Sequence, residues 1–366
     1  MRIDLVISEL YVGGAERCLT ELAIGLRRGG DDVRVASIAH FPGDPHAGLV
    51  RRLRDEGVTV DSAGCDRPRD AISAFFWLRR WFQQGRPDVV QTMLYHANVL
   101  ATFAARSAGV PVCVGGIRVA EKIGGRILLE RQAVKRMDAV VCVSGSVRGF
   151  AEAVFGTALP KTVVIGNSVD VDAVARVRPV DWRSFGWPAD ADVLLFVGRL
   201  HPQKGLDVLA EAIEPLLGQL GTLRVLLVGE GPQRASLESV ARRLGQSRFQ
   251  LAGWRPDPLP MIKACRVLVL PSRYEGMPNV ILEAMAAGKP VAASRVEGVE
   301  ELLGDAADGQ TCPPDDPAAL RELIRRLWLD RQAADALGRW NLRRAEERHP
   351  PEEVAATYRQ LYGSLR

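Results

Sequence analysis

Two glutamates in the C-terminal half, Glu275 and Glu283, have a spacing that could bind a polyhydroxylated ligand. Pro278 is acceptable at a first helical position and Gly288 stops a helix, so the sequence predicts Glu275 in a loop and Glu283 on the following helix. Backbone amides within residues 277–280, other than that of Pro278, could hold phosphate oxygens, while the carboxylates accept hydrogen bonds from paired hydroxyls. Spacing alone does not establish this, because glutamates on surface helices are common.

Two basic residues follow another predicted strand of the same half. The apolar run 194–197 leads into Gly198 and Arg199, and the loop continues to Lys204 and Gly205. The glycines permit close approach or unusual backbone angles, and two cations beside a helix start suit a diphosphate. The alternative is a solvated turn with two ordinary basic residues. Because ligands of open α/β sheets bind at the carboxyl ends of strands, these loops are the first candidates for a site.

Apolar β-branched runs alternate with amphipathic stretches, which predicts an α/β fold with parallel sheets. Strands are predicted at 2–7, 33–38, 88–92, 112–116, 139–143, 162–165, 192–197, 223–228, 249–252, 266–270 and 290–293. Helices of the second half are predicted near 205–220, 232–244, 258–264 and 278–287. The proline-punctuated segment 177–189 is interpreted as a linker. The simplest architecture is an N-terminal domain (1–176) that faces a C-terminal domain (190–349) across a cleft, with a last helix (350–366) packed back on the first domain.

Composition narrows the class of protein. The chain has 366 residues, of which 47% are hydrophobic and 25% charged, as in soluble globular proteins. A net charge of +4 is too small to predict nucleic-acid binding. Six cysteines show neither disulfide nor metal-ligand spacing. The start reads as a strand and no run reaches the roughly 20 apolar residues of a membrane span, so we expect a cytoplasmic protein.

Residues around the two glutamates give a more specific indication. The stretch from Pro271 to Val291 resembles the paired-glutamate signature of the retaining glycosyltransferases of family 4, glycosyl transferases group 1, which have two facing Rossmann-like domains, the GT-B fold. Further similar segments are Val197-Gly198-Arg199-Leu200 with Lys204-Gly205, Leu227-Val228-Gly229-Glu230-Gly231-Pro232, Leu251-Ala252-Gly253-Trp254 and Gly13-Gly14-Ala15-Glu16-Arg17. The resemblance covers nearly the whole chain.

The resemblance implies a role for each matching residue. Arg199 and Lys204 would hold the donor diphosphate, Glu283 the ribose hydroxyls, and Glu275 the transferred sugar. The implied donor-binding residues are Gly13, Gly14, Gly198, Arg199, Lys204, Gly253, Trp254, Glu275, Gly276, Met277, Pro278, Asn279, Val280 and Glu283. Gly253 and Trp254 would lie along the base, and Gly13 and Gly14 would let the N-terminal domain approach the phosphates. The implied catalytic residues are Glu275, Arg199, Lys204, Arg118 and His96.

The chain departs from the family pattern in its N-terminal half. Many members have a histidine after the fourth strand, where this sequence has Arg118. Arginine cannot act as a base at neutral pH, but its guanidinium could contact a phosphate or an anionic acceptor. His96 is the nearest alternative, and a purely structural histidine is equally compatible with the sequence. Glu121 and Lys122 are further candidates for acceptor contacts. A second departure is Ile165-Gly166-Asn167-Ser168, where the family usually has proline before the asparagine and glycine after it.

The predicted function is a retaining, metal-independent hexosyltransferase without a cofactor, acting in polysaccharide biosynthesis. It would move a sugar from a nucleotide diphosphate, with a UDP-sugar favoured, to a glycan, lipid-linked or small-molecule acceptor. A nucleotide-sugar epimerase and a non-catalytic nucleotide-sugar or glycan-binding protein are the alternatives. A dinucleotide-dependent oxidoreductase is less favoured, because the loop Ser8–Gly14 lacks the three-glycine fingerprint.

Residues 74–82 leave two interpretations open. They combine five aromatic residues with Arg79 and Arg80, so the segment could lie in a bilayer interface, which would place the protein at the inner membrane face. Alternatively, a helix packs Phe75, Leu78 and Phe82 into the first domain and turns the arginines outward.

Overall fold

The structure, a computed structural model, describes residues 1–120 and 124–366. It divides into two compact units, the first formed by Met1–Ser168 with Pro351–Arg366 and the second by Val169–Pro350. Glu121 and Lys122, the two further candidates for acceptor contacts, lie outside the described residues.

The first unit is built on a seven-stranded parallel sheet with strand order β3-β2-β1-β4-β5-β6-β7. Its strands are β1 (Arg2–Ile7), β2 (Asp32–Ser37), β3 (Thr59–Ser62), β4 (Val89–Met93), β5 (Val112–Ile117), β6 (Ala139–Cys142) and β7 (Lys161–Val164). Its connecting helices are α1 (Gly14–Arg28), α2 (Gly48–Asp55), α3 (Ala71–Gly85), α4 (Tyr95–Ser107), α5 (Gly124–Val134) and α6 (Gly145–Phe155). The strand order reverses between β1 and β4.

Both faces of this sheet are buried, which explains the nearly continuous apolar strands. Ile3 and Leu5 of β1 belong to one hydrophobic cluster, together with residues of α1. Val6, the residue after Leu5, packs on the opposite face of the sheet in a second cluster with residues of α3 and α4. The last helix, α15 (Pro351–Leu365), contributes Tyr358 and Tyr362 to the first cluster. The first unit is therefore completed by the end of the chain.

The second unit has a six-stranded parallel sheet with order β10-β9-β8-β11-β12-β13. Its strands are β8 (Val193–Val197), β9 (Arg224–Val228), β10 (Phe249–Gly253), β11 (Val267–Leu270), β12 (Val291–Ser294) and β13 (Thr311–Cys312). Its helices are α7 (Val171–Arg176), α8 (Leu206–Gln219), α9 (Arg234–Leu244), α10 (Leu259–Ala264), α11 (Asn279–Ala286), α12 (Val299–Leu303), α13 (Pro317–Leu329) and α14 (Arg331–Arg348). The strand order reverses between β8 and β11, so a switch point lies there.

The segment 177–189, predicted as a linker, lies within the second unit. Trp182 and Trp187 are 2% and 4% exposed and belong to its hydrophobic core. Burial of these large indole rings attaches the segment to the second unit, so that the units divide after Ser168, earlier than the predicted domain end at residue 176.

The aromatic segment after β3 forms α3 and is partly buried. Leu78 and Phe82 pack inside, as the second interpretation predicts, and Trp81 is buried with them. Phe75 is only partly buried, and Phe76 is 58% exposed. In the described part of the chain, no helix is long and apolar enough to cross a bilayer.

Candidate active site

The loops that follow β8 and β11 meet at the switch point of the second sheet. Lys204 Nζ donates to Oε1 of Glu275, and Ser272 Oγ donates to the same oxygen at 2.7 Å. Glu275 is 7% exposed, and the Lys204 side chain is 15% exposed. Two residues that are far apart in sequence therefore form a buried, charge-assisted hydrogen bond.

A second connection between these loops runs through Gln203. Arg199 Nη2 donates to Gln203 Oε1 at 3.2 Å, and Gln203 Nε2 donates to the carbonyl of Tyr274 at 2.9 Å. Arg199 itself is exposed, while Gln203 is buried. The guanidinium is thus oriented from the protein side and keeps contact with solvent, where a phosphate could bind.

Backbone packing fixes the distance between the same two loops. Gly205 has φ +61°, and a Cβ at this position would lie 2.0 Å from the carbonyl oxygen of Pro271. Arg273 donates to both carboxylate oxygens of Asp207 at 3.0 and 2.7 Å. This hydrogen bonding raises the pKa of Arg273 and lowers the pKa of Asp207. The close contact of Gly205 with Pro271 and the ion pair of Arg273 with Asp207 together hold the Lys204 loop against the Glu275 loop.

Glu275 and Glu283 lie on opposite sides of the start of α11. Pro278 is the N-cap residue of α11, which begins at Asn279, so Glu275 lies in the loop and Glu283 on the helix. Glu283 is half-buried, as are Met277, Asn279 and Val280 around the helix start. Gly276 is buried beside Glu275. The N-terminal end of a helix favours negative charge, which suits a phosphate or an electron-rich sugar oxygen.

Three glycines bring the neighbouring strand ends together. A Cβ on Gly229, after β9, would lie 1.8 Å from the carbonyl oxygen of Gly198. The amide of Gly229 donates to the carbonyl of Gly253 at 2.9 Å. Gly253 has φ +71° and is followed by the half-buried Trp254. The structure thus brings Gly198 and Gly253 to the carboxyl edge that also carries Lys204.

In the first unit, Gly13 and Gly14 lie at the start of α1, after the loop that follows β1. Gly13 is the N-cap residue of α1, which begins at Gly14. A Cβ on Gly13 would lie 2.3 Å from Oε2 of Glu16, a carboxylate oxygen of the buried first turn. A β-carbon at position 13 would therefore require the Glu16 side chain, which folds back over the helix start, to move.

Arg118 and His96 follow the neighbouring strands β5 and β4, but their surroundings differ. Arg118 Nη2 donates to Oδ1 of the buried Asn167, and its guanidinium also contacts the phenol of Tyr358. Burial raises the pKa of Tyr358 to about 12, although Arg118 acts in the opposite direction. His96 is exposed in the first turn of α4, edge-on to Tyr95 with ring centroids 5.2 Å apart. These contacts orient the guanidinium of Arg118, and the roles of Arg118 and His96 in catalysis stay predictions.

The geometry adds residues that sequence reasoning missed. The amide of Glu275 donates to Oε2 of Glu297 at 3.3 Å, and Ser272 and Gln203 contact Glu275 and Arg199 as described above. Glu297 follows β12, the strand next to β11, so its position after a neighbouring strand was the available signal. Among the described residues, no group of three or more histidine, cysteine or acidic side chains could hold a metal ion.

Comparisons with known proteins assign this arrangement to a family. Residues 191–330 match Glycosyl transferases group 1, and residues 12–173 match Glycosyltransferase Family 4. The lipopolysaccharide core biosynthesis glycosyltransferase LpsE of Rhizobium meliloti is 31% identical over 354 residues, which cover 96% of either chain. The chain belongs to glycosyltransferase family 4.

A further curated relative and a solved structure are also similar to this glycosyltransferase. The D-inositol 3-phosphate glycosyltransferase of Frankia alni is 29% identical over 288 residues, 70% of each chain. The crystal structure of Anabaena HepE in complex with UDP-glucose aligns with a TM-score of 0.84 over 100% of both chains at 22% identity. The glycosyltransferase therefore has the GT-B fold of two Rossmann-like domains, which confirms the predicted fold class.

Proposed function

We propose that this glycosyltransferase transfers a sugar from a UDP-sugar with retention of anomeric configuration and without a metal ion. The acceptor class we propose is a growing glycan or its lipid-linked precursor, as in polysaccharide biosynthesis. The observation that carries the proposal is the Lys204–Glu275 pair beside the start of α11, at the switch point of the second sheet. Ligands of doubly wound sheets bind at such points. That HepE was crystallised with UDP-glucose supports the choice of donor.

The chemistry requires stabilisation of a leaving diphosphate. When the bond between the sugar and the phosphate breaks, negative charge builds on the phosphate oxygen. Arg199, Lys204 and the helix start of α11 provide positive potential for that charge. Glu283 would accept hydrogen bonds from the ribose hydroxyls, and Glu275 would orient the transferred sugar.

Retention would follow from attack on the same face as departure. The acceptor oxygen would form its bond to the anomeric carbon, the bond from that carbon to the phosphate oxygen would break, and the acceptor proton would pass to the leaving phosphate. No protein base is then required. Arg118 stands where many members of the family have a histidine, and its side chain contacts Asn167 and Tyr358. These contacts are compatible with a route that uses no protein base.

The test is a thermal-shift panel of UDP-, GDP- and ADP-sugars, followed by activity measurements with the donors that bind. Ligands that bind only the native state raise the unfolding midpoint, so the specific donor should give the largest shift. Product anomers assigned by NMR test retention, and activity after extensive chelation tests metal independence. No midpoint shift and no release of nucleotide with any donor would contradict the proposed function.

We also propose that the first unit contacts anionic membranes through α3, which would suit a lipid-linked acceptor. Ile72 and Phe76, spaced one helical turn apart, are 71% and 58% exposed. Arg80 and Arg69 are exposed on or beside the same helix. Exposed apolar side chains near basic residues favour an interface between lipid headgroups and acyl chains.

The membrane contact predicts co-sedimentation with liposomes rich in phosphatidylglycerol at low salt. Replacing both Ile72 and Phe76 by serine should reduce the bound fraction about tenfold, since two apolar anchors are lost. Leu329→Ser is the matched control, because Leu329 is 59% exposed in the second unit. Equal binding of the wild type, the double variant and Leu329→Ser would exclude α3 as a membrane-binding surface. The absence of any binding of the wild type to anionic liposomes would exclude it as well.

A further inference from the structure

A third carboxylate borders the predicted sugar-binding loop. Glu297 lies in the turn between β12 and α12, and its Oε2 accepts a hydrogen bond from the amide of Glu275 at 3.3 Å. This contact joins the loops that follow two adjacent strands, β11 and β12, and it engages the backbone of Glu275, leaving the carboxylate of Glu275 to its own partners. Glu297 as a whole residue is half-buried at the edge of this loop.

The position of Glu297 is fixed by the residue that follows it. Gly298 has φ +73°, and a Cβ there would lie 2.1 Å from the carbonyl oxygen of Gly276 and 2.9 Å from Cα of Met277. Only glycine permits this backbone conformation together with such a close approach. The turn that carries Glu297 is therefore packed directly on the loop that would contact the transferred sugar.

Glu297 adds a negative charge to the loop at this edge of the site, beside the Glu275–Lys204 pair. Lys204 donates to Glu275, and the nearest basic residue in sequence, Arg295, pairs with Asp308 at 2.7 Å and with Glu300 at 3.2 Å. The carboxylate of Glu297 thus lies at the sugar loop in addition to the carboxylate of Glu275, which is paired with Lys204. Like charges in a partly buried site repel strongly, because solvent screens them less.

We infer that Glu297 selects the transferred sugar by charge. Its carboxylate would accept hydrogen bonds from hydroxyl or amino groups of the sugar, and it would repel a sugar that carries a carboxylate. The substrate class is therefore a neutral or amino sugar, and nucleotide-linked uronic acids are rejected. This inference rests on the proposed function, since it needs the nucleotide sugar to bind at the Glu275 loop.

The experiment compares donors that differ only at C6, namely UDP-glucose with UDP-glucuronate and UDP-galactose with UDP-galacturonate. Affinities are measured by calorimetry for the wild type, Glu297→Gln and Glu297→Ala, with UDP alone as reference. In the wild type, we expect the UDP-sugar with a neutral hexose to bind about tenfold more tightly than the UDP-uronate of the same pair, for whichever pair the site accepts. Both variants should reduce that ratio about tenfold and leave the affinity for UDP unchanged. If the initial panel selects a guanine nucleotide, GDP-mannose and GDP-mannuronate replace these pairs.

The controls separate the inference from the proposed function. Asp305→Asn removes an exposed carboxylate that follows α12 and should leave the neutral-to-uronate ratio at its wild-type value. If the variants bind UDP normally and keep the wild-type ratio, Glu297 does not select by charge, and only this inference fails. Loss of UDP affinity in Glu297→Gln would also overturn it, because the role would then be structural. If no nucleotide binds the wild type, the proposed function itself fails.

Discussion

At the scale of single residues, Glu275 has the most constrained surroundings in the candidate site. Its Oε1 accepts hydrogen bonds from Lys204 and Ser272, while its amide donates to Glu297. A carboxylate held by two side-chain donors, on a loop whose amide is also hydrogen-bonded, is pre-organised, and pre-organised groups lose little entropy when the reacting geometry forms. Its removal would also leave Lys204 without a counterion in a site with little solvent.

The first prediction concerns turnover. Glu275→Ala should lower kcat about 100-fold or more, because the sugar loses its orienting carboxylate and Lys204 is free to move. Release of UDP under donor saturation measures the effect. Ser272→Ala, which removes one of the two side-chain donors to Glu275, should lower kcat by only about tenfold. Wild-type turnover in Glu275→Ala would contradict its place in the site.

Glu283 should affect binding more than chemistry. If its carboxylate holds the ribose hydroxyls, the contact is made equally in the ground state and the transition state. Glu283→Ala should then raise the donor KM about tenfold with a small change in kcat. Steady-state kinetics over a wide donor range separate the two constants. A fall in kcat with unchanged KM would place Glu283 at the reacting centre instead.

The sequence predicted the residues of this site better than their contacts. Glu275 and Lys204 were both predicted, but their direct pairing follows from the strand order of the sheet, which no motif contains. Arg118 stays a candidate contact for phosphate or acceptor, and its contacts with Asn167 and Tyr358 could not be predicted from the sequence. Glu297 was missed because a glutamate in a surface turn is ordinary until its neighbour in space is known.

At the scale of elements, the site depends on the close approach of the loops after β8 and β11. Gly205 permits that approach, because its φ of +61° and its contact with Pro271 exclude a side chain. A β-carbon at this position would push the Lys204 loop away from the Glu275 loop. Small displacements of positioned groups have large effects on rate.

Gly205→Ala should therefore impair both stability and activity. We expect a loss of about 1–3 kcal/mol in unfolding free energy, from the strained backbone, and a fall of about 10-fold to 100-fold in kcat/KM. Urea unfolding and donor kinetics measure the two effects. Gly218→Ala is the matched control, because Gly218 is exposed within α8 and its Cβ would meet open space. Equal behaviour of the two variants would show that the loop contact is dispensable.

The strands were largely predictable, with two exceptions. Strands β3 and β13 were not predicted, and both lie at sheet edges, where a strand pairs on one side only. In β3, the strand segment is Thr59–Ser62 and only Val60 is buried, while β13 has two residues. Such short segments carry too little apolar pattern to be distinguished from loops.

At the scale of the whole molecule, each unit has its own hydrophobic core, and the first unit uses both ends of the chain. Tyr362 of α15 is fully buried against β-strand residues, and its hydroxyl donates to Oε1 of Gln91 in β4 at 3.1 Å. Because Gln91 is also fully buried, that oxygen has no access to water as a substitute partner.

Tyr362 variants should therefore destabilise the first unit in two graded steps. Tyr362→Phe keeps the ring but leaves the Gln91 oxygen unpaired, and we expect a loss of about 1–3 kcal/mol in unfolding free energy. Tyr362→Ala also removes the ring from the core, and the loss should reach about 3–5 kcal/mol. Urea unfolding followed by circular dichroism measures both values.

Buried thiols can show which unit opens in these variants. Burial raises the pKa of Cys113, in the first unit, to about 11 and that of Cys265, in the second, to about 12, so both should resist alkylation at neutral pH in the native state. In Tyr362→Ala at moderate urea, Cys113 should become labelled before Cys265, as mass spectrometry of the digested protein would show. Simultaneous labelling of the two thiols would mean that the units unfold as one body, since a loss of packing confined to the first core could not expose the second.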